Sequence, residues 1–123
     1  MLSLPPSVKI FVASELVDGR RQIDGLSRLV VGKLGQDPLS GHLFVFVSRR
    51  RTIARILYWD RNGFCLWTRR LERGRFRLPI APAGATHIEM EAVDLSLILE
   101  GIDLRDARRR PRWMPGAARS HAA

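Results

Sequence analysis

The side chains best suited to chemistry in this chain are arginines and aromatics crowded into a single stretch. From Arg49 to Arg77 there are ten arginines and only two acidic residues, Asp60 and Glu72. Inside that stretch lies Tyr58-Trp59-Asp60-Arg61-Asn62-Gly63-Phe64-Cys65-Leu66-Trp67. A guanidinium is a planar fork that can bond two phosphate oxygens at once, so dense arginine on a rigid apolar scaffold points to a surface that meets a polyanion. The candidate nucleic-acid-binding residues are Arg49, Arg50, Arg51, Arg69, Arg73, Arg75 and Arg77, joined by Arg109 and Arg110 of a run near the C-terminus. Tyr58 and Trp67 are candidate partner-facing residues. Bland alternatives stand beside each: arginines also solubilise exposed faces, and aromatics more often fill cores.

Other chemistries find little support. His42, His87 and His121 are scattered, and none sits near a serine or the lone cysteine in a nucleophile–base arrangement. Cys65, between Phe64 and Leu66, reads as a small packed residue. Glu89, Glu91, Asp94, Glu100 and Asp103 cluster on one element and its ends, whereas two-metal cleavage needs carboxylates converging from several. Gly25 and Gly32-Lys33 lack phosphate-loop spacing, and no dinucleotide fingerprint occurs. The expectation is therefore a protein without catalytic residues, metal or cofactor.

Charge is unevenly spread. The net charge is +9, with nineteen arginines and two lysines. Residues 1–48 carry five basic and four acidic groups, residues 49–77 ten and two, residues 78–104 none and five, and residues 105–123 six and one. The acidic segment is too weak to neutralise the basic ones, which favours contact with a polyanion. With 123 residues and 46% hydrophobic content, the chain suits a single core. Residues 1–104 are expected to form one domain, and residues 105–123, rich in arginine, proline and alanine, a disordered tail. One cysteine excludes an internal disulfide. Without a signal-like N-terminus or a long apolar run, a reducing, cytoplasmic setting is expected.

These side chains must be positioned by short elements. Val8–Ala13 reads as a strand, and a helix from an N-cap at Asp18 to about Leu34 places Ile23, Leu26, Leu29, Val30 and Leu34 on one side, with Gly35 ending it. Gly25 within that helix suggests close approach to the sheet. Leu43–Val47 is a continuous apolar strand of the kind found mid-sheet. Thr52–Trp59 and Phe64–Leu71 flank Asn62-Gly63, a hairpin signal because primed turns need positive φ. A loop of two or four residues puts Ile53, Leu57, Trp59, Phe64, Leu66 and Thr68 on one face and Ala54, Ile56, Tyr58, Cys65, Trp67 and Arg69 on the other; three residues would reverse the pairing. Arg75–Leu78 reads as another strand with Arg75 and Arg77 on one face, His87–Glu89 as a further short one, and Glu91–Glu100 as a second helix burying Leu95, Ile98, Leu99 and Ile102. The expected fold is α+β: a mainly antiparallel meander sheet of four to six strands with two helices packed on one face.

The strings just described carry a resemblance. LFVF, RRR, ILYWDRNGFCLW and RRLERGRFRLP, with the earlier PPSVKIFVASELVDGRRQIDGLSRLV and DPLSGHLFVF and the late LILEGIDL, closely resemble the small accessory protein of insertion-sequence-66-type transposable elements, often called TnpB. The resemblance spans roughly residues 4–104. It departs at Gly19, where methionine would be expected, and at Ile23, where an aromatic would be. It implies a cytoplasmic bacterial protein that assists transposition beside a separate transposase, and it carries over no catalytic residues. The RNA-guided nuclease family of the same label is unrelated: this chain is far too short for it and lacks its acidic triad.

Together these features lead to a non-enzymatic accessory factor for DNA transposition that binds DNA backbone through an arginine-rich sheet surface. The alternative is an interaction module that docks on the transposase or a sister accessory protein without touching DNA. Arginine stripes do not separate DNA from RNA, and neither a membrane nor a small-molecule substrate is indicated.

Overall fold

The structure, a computed structural model, describes residues 7–101. In chain order the elements are β1 (Ile10–Ala13), α1 (Ile23–Gly32), β2 (Leu43–Val47), β3 (Ile53–Asp60), β4 (Gly63–Arg70), β5 (His87–Met90) and α2 (Ala92–Leu99). The five strands form one sheet in the order β4-β3-β2-β1-β5. As expected, β2, β3 and β4 make an antiparallel meander. The sheet is nevertheless mixed, because β1 and β2 run parallel, Ile10 against Leu43 and Val12 against Val45. A helix lies between these two strands in sequence, and a crossover of that kind is what a parallel pair requires.

The two helices cover opposite faces of the sheet, not one face as the sequence suggested. On the α1 side, Leu26, Val30 and Leu34 pack with Phe11, Phe44, Phe46 and Leu57. On the α2 side, Leu95, Ile98 and Leu99 pack with Ile10, Val12, Leu43, Val45, Val47, Ala54 and Ile56. β2 lies mid-sheet and buries all five side chains, Leu43, Val45 and Val47 into one layer and Phe44 and Phe46 into the other. An apolar strand without alternation needs cover on both faces, which the opposed helices provide.

The expected strand at Arg75–Leu78 does not form. Residues 71–86 cross from β4, at one sheet edge, to β5 at the other without a strand or helix. Phe76 anchors this crossing: its side chain is fully buried in the α2-side layer, beside partly buried Leu71 and Leu78. Its N–H donates to the Arg51 carbonyl at 2.6 Å. Arg75 and Arg77 therefore flank an anchor in a loop and do not share a strand face.

The helix termini also differ in detail. Asp18 does not cap α1, whose N-cap is Gln22 without a side-chain bond. It closes a turn instead, accepting the Arg20 N–H on Oδ1 while its carbonyl accepts the Arg21 N–H. α1 ends at Gly32 with Lys33 as its C-cap, earlier than expected, and Gly35 lies two residues beyond that cap at φ +63°. Gly25 does not approach the sheet. A Cβ there would meet the Arg21 side chain, with Cγ at 3.6 Å and Nη1 at 3.4 Å, both ordinary contact distances. At Gly19, a Cβ would lie 3.3 Å from the Ser48 Cβ and 3.4 Å from the Ile53 Cδ1, a packing suited to glycine.

Candidate nucleic-acid interface

Strand register determines where the arginines go. The C-terminal ends of β1 and β2 lie together, β3 begins beside the end of β2, and Ile53 at the start of β3 pairs with Arg70 at the end of β4. Every connection that leaves or enters this end of the sheet carries basic residues. Arg20 and Arg21 follow β1, Arg49, Arg50 and Arg51 form the β2–β3 turn, and Arg70, Arg73, Arg75 and Arg77 lie at or beyond the end of β4. Backbone bonds lock these loops together, from Arg49 N–H to the Val17 carbonyl, from Leu71 N–H to the Thr52 carbonyl, and from Phe76 N–H to the Arg51 carbonyl.

The β2–β3 turn is built tightly. Arg51 N–H donates to the Ser48 carbonyl at 2.8 Å, and buried Ser48 accepts the Ile53 N–H on Oγ at 3.1 Å. Arg51 itself sits at φ +60°, in the left-handed region. An L-residue there loses roughly 1–2 kcal/mol to the clash of its Cβ with the backbone, which is why such positions favour glycine. Among the described non-glycine residues, positive φ occurs at Arg51 and at Arg61 in the β3–β4 turn, both arginines. That second turn consists of Arg61 and Asn62, since Gly63 already pairs with Asp60. The positive φ thus falls one position earlier than at Asn62-Gly63. The loop nevertheless holds two residues, so the two hairpin faces have the membership expected for an even loop.

Carboxylates at the basic end are few and occupied. Asp18 takes a two-pronged bond from Arg20, Nε to Oδ1 at 3.1 Å and Nη2 to Oδ2 at 3.0 Å. That bond, the Arg20 backbone N–H and the nearby Arg49 charge hold the Asp18 carboxyl well below the usual carboxylate range. Glu15 pairs with Lys33, Glu72 with Arg70, and Glu100 with Arg69. Among the described residues, Arg49, Arg50, Arg51, Arg73, Arg75 and Arg77 form no ion pair, and all six are exposed. Two adjoining clefts, about 340 Å3 and about 510 Å3, open here and share Asp18 and Arg49. The first has Arg21 and Lys33 at its sides with Leu29, Leu34 and Phe46 among its lining residues, while Arg20 and Arg50 line the second.

Not every candidate belongs to this surface. Arg69 is committed to α2: its Nη1 donates to the Leu99 carbonyl at 3.0 Å, lies 3.8 Å from Glu100 Oε2, and its guanidinium rests 5.6 Å from the Trp67 ring centre. It satisfies an orphan carbonyl at the helix end and complements the negative pole there. Tyr58 and Trp67 are half-buried against the α2-side core, next to Ile56 and Cys65, and each keeps some exposure. Burial pushes the Tyr58 phenol above its usual range, and Cys65, opposite it in the ladder, adds to the shift. Arg109 and Arg110, the proposed domain boundary at residue 104 and Ile102 lie outside the described residues.

Three residues at this end were not among the candidates read from sequence. Arg20 and Arg21 join the basic end because β1 and β2 are parallel. Arg55 looks like part of the arginine field, but its Nη2 donates to the Gly19 carbonyl at 2.6 Å and its Nε is buried without a partner. It braces the loop after β1. His42 accepts the Lys9 N–H on Nδ1 and His87 lies against Thr86, both with their rings edge-on to Phe11, as expected of structural histidines.

A small α+β protein with a mixed, two-sided sheet and, among the described residues, six exposed arginines without an ion pair at one sheet end is the class defined by this geometry. The chain belongs to the IS66 Orf2-like family, whose sequence profile (TnpB_IS66) matches residues 8–109. It is 38% identical over 115 residues to the uncharacterized protein y4jC of Sinorhizobium fredii, covering 94% of this chain and 97% of that protein. It is 36% identical over 115 residues to the uncharacterized protein y4hO of the same organism, covering 94% and 96%. No solved structure matches the chain. Family membership suggests an accessory role in transposition. Among the described residues, no helix is long and apolar enough to cross a membrane.

Proposed function

We propose that the chain is a non-enzymatic accessory factor in transposition that binds DNA backbone across the basic end of its sheet. The observation that carries this is the set of six exposed arginines, Arg49, Arg50, Arg51, Arg73, Arg75 and Arg77, on loops pinned to one another and, among the described residues, forming no ion pair. Contacts of this kind position a protein on a duplex and carry no base readout, so the binding is expected to be independent of sequence. Arg109 and Arg110 extend the same contact in this proposal. Cytoplasmic residence and a transposase as a fellow component go with the proposed role.

The test is a salt-titrated binding measurement on element-end duplex DNA. The six sheet-end contacts alone give a log–log slope of about −5, and contacts from Arg109 and Arg110 would steepen it to about −7. Absence of binding at low salt, together with transposase association that survives nuclease treatment, would replace this function with a protein-docking role.

A further inference from the structure

We propose that the free edge of β4 pairs with the β4 edge of a second copy of this chain, joining two five-stranded sheets into one. Among the described residues β4 ends the sheet, and it pairs with β3 through an unbroken eight-residue register from Gly63 to Arg70. The bond from Leu71 N–H to the Thr52 carbonyl marks that pair as hydrogen-bonded. Alternation along the ladder then commits the backbone groups of Gly63, Cys65, Trp67 and Arg69 to β3 and turns those of Phe64, Leu66, Thr68 and Arg70 outward.

An edge of this kind is ordinarily blunted by a proline, a bulge, a central charge or short length. β4 has no proline and no bulge, and its charges are confined to Arg69 and Arg70 at its end. The other edge, β5, is protected in the usual way: it has four residues and carries Glu89. β4 is twice as long and presents Phe64, Cys65, Leu66 and Trp67 in succession.

Its charge pattern selects the occupant. A parallel second copy would set Arg69 and Arg70 beside their own counterparts, which is repulsive. An antiparallel copy about a two-fold axis at Leu66 sets Leu66 opposite its counterpart, Phe64 opposite Thr68 in both directions, and Arg69 opposite Gly63. No like charges then face each other, and the outward groups of Phe64, Leu66 and Thr68 form about six backbone hydrogen bonds. This axis points the two basic ends in opposite directions, offset by at least the strand length of about 27 Å. If the basic end holds DNA as proposed above, the dimer holds two segments at once.

Sedimentation of nuclease-treated full chain at high salt, over a range of protein concentrations, tests the pairing without nucleic acid present. A monomer–dimer equilibrium is expected, with the amides of Phe64, Leu66 and Thr68 gaining protection from hydrogen exchange as concentration rises. Thr68→Pro removes one outward N–H while leaving the β3 ladder intact, and Thr68→Lys sets a charge on the edge. Each is expected to weaken the dimer about tenfold or more. If Thr68→Pro fails to fold, Thr68→Lys decides. A monomeric wild type would overturn the proposal, as would a dimer indifferent to these substitutions. Edge protection that does not change with concentration would place another segment of the same chain on β4 and overturn it too.

Discussion

Replacing Arg51 by glycine should make the protein more stable and a weaker DNA binder. The residue sits at φ +60° in the β2–β3 turn, and its backbone makes two bonds, donating to the Ser48 carbonyl at 2.8 Å and accepting from Phe76 at 2.6 Å. Glycine can make both. Relief of left-handed strain is worth roughly 1–2 kcal/mol. The greater freedom of glycine in the unfolded chain takes back roughly 0.5–1 kcal/mol. Arg51→Ala keeps the strain and removes the same charge, so Arg51→Gly is expected to exceed it by about 0.5–1 kcal/mol in urea unfolding, or about 2–6 °C in Tm. Both variants lose one phosphate contact, so the log–log salt slope should flatten by about 0.9 in each. Thermal or urea unfolding beside a salt-titrated binding assay measures both effects. If the glycine variant were the less stable of the two, the left-handed turn would be wrong. If binding and slope matched wild type in both, Arg51 would have no part in the contact.

Further outcomes follow from other parts of the fold. Tyr58 is the chain's single tyrosine, so ultraviolet titration of its phenolate reads it alone; the midpoint should lie above that of free tyrosine in the folded protein and return to about 10 in urea. A raised folded pKa means that the stabilisation is complete below pH about 10 and is lost as pH rises through the folded value, a loss that Tyr58→Phe should abolish; an unshifted midpoint would contradict the burial. Phe76→Ala empties a fully buried site and should cost about 3–5 kcal/mol; a loss below about 1 kcal/mol would mean that the crossing is not anchored there. Gly25→Ala should stabilise by about 1 kcal/mol in unfolding measurements, since the added methyl meets Arg21 only at ordinary contact distances; destabilisation would show that the helix needs closer approach there.

The sequence was most legible where backbone periodicity and turn chemistry agree. β2, the hairpin faces, β5 and α2 follow from apolar runs and an even two-residue loop. Its silence about long-range pairing explains what differs. Arg75-Phe76-Arg77-Leu78 alternates like a strand, yet Phe76 is driven fully into the core with Leu78 partly buried beside it, and no neighbouring strand accepts the ladder. Helix placement was recoverable in part: Leu43–Val47 is apolar at every position, and such a strand cannot leave one face to water. Among the candidates, the turn and post-β4 arginines were visible as charge density. Arg69 was not separable from them, because its partners Leu99 and Glu100 lie thirty residues away and more. Arg20 and Arg21 became neighbours of Arg49 only through the parallel pairing of β1 with β2.

The salt dependence of DNA binding by wild type, by the Arg73→Gln/Arg75→Gln/Arg77→Gln variant and by Arg69→Gln tests the basic sheet end most directly. Wild type is expected to show a slope of about −5 or steeper, and the triple variant a slope flatter by about 2.5 with weaker binding at every salt concentration. Arg69→Gln, which removes a guanidinium spent on α2, should keep the wild-type slope while losing stability. A flat wild-type response, or a triple variant indistinguishable from wild type, would contradict a backbone-binding surface at this end of the sheet.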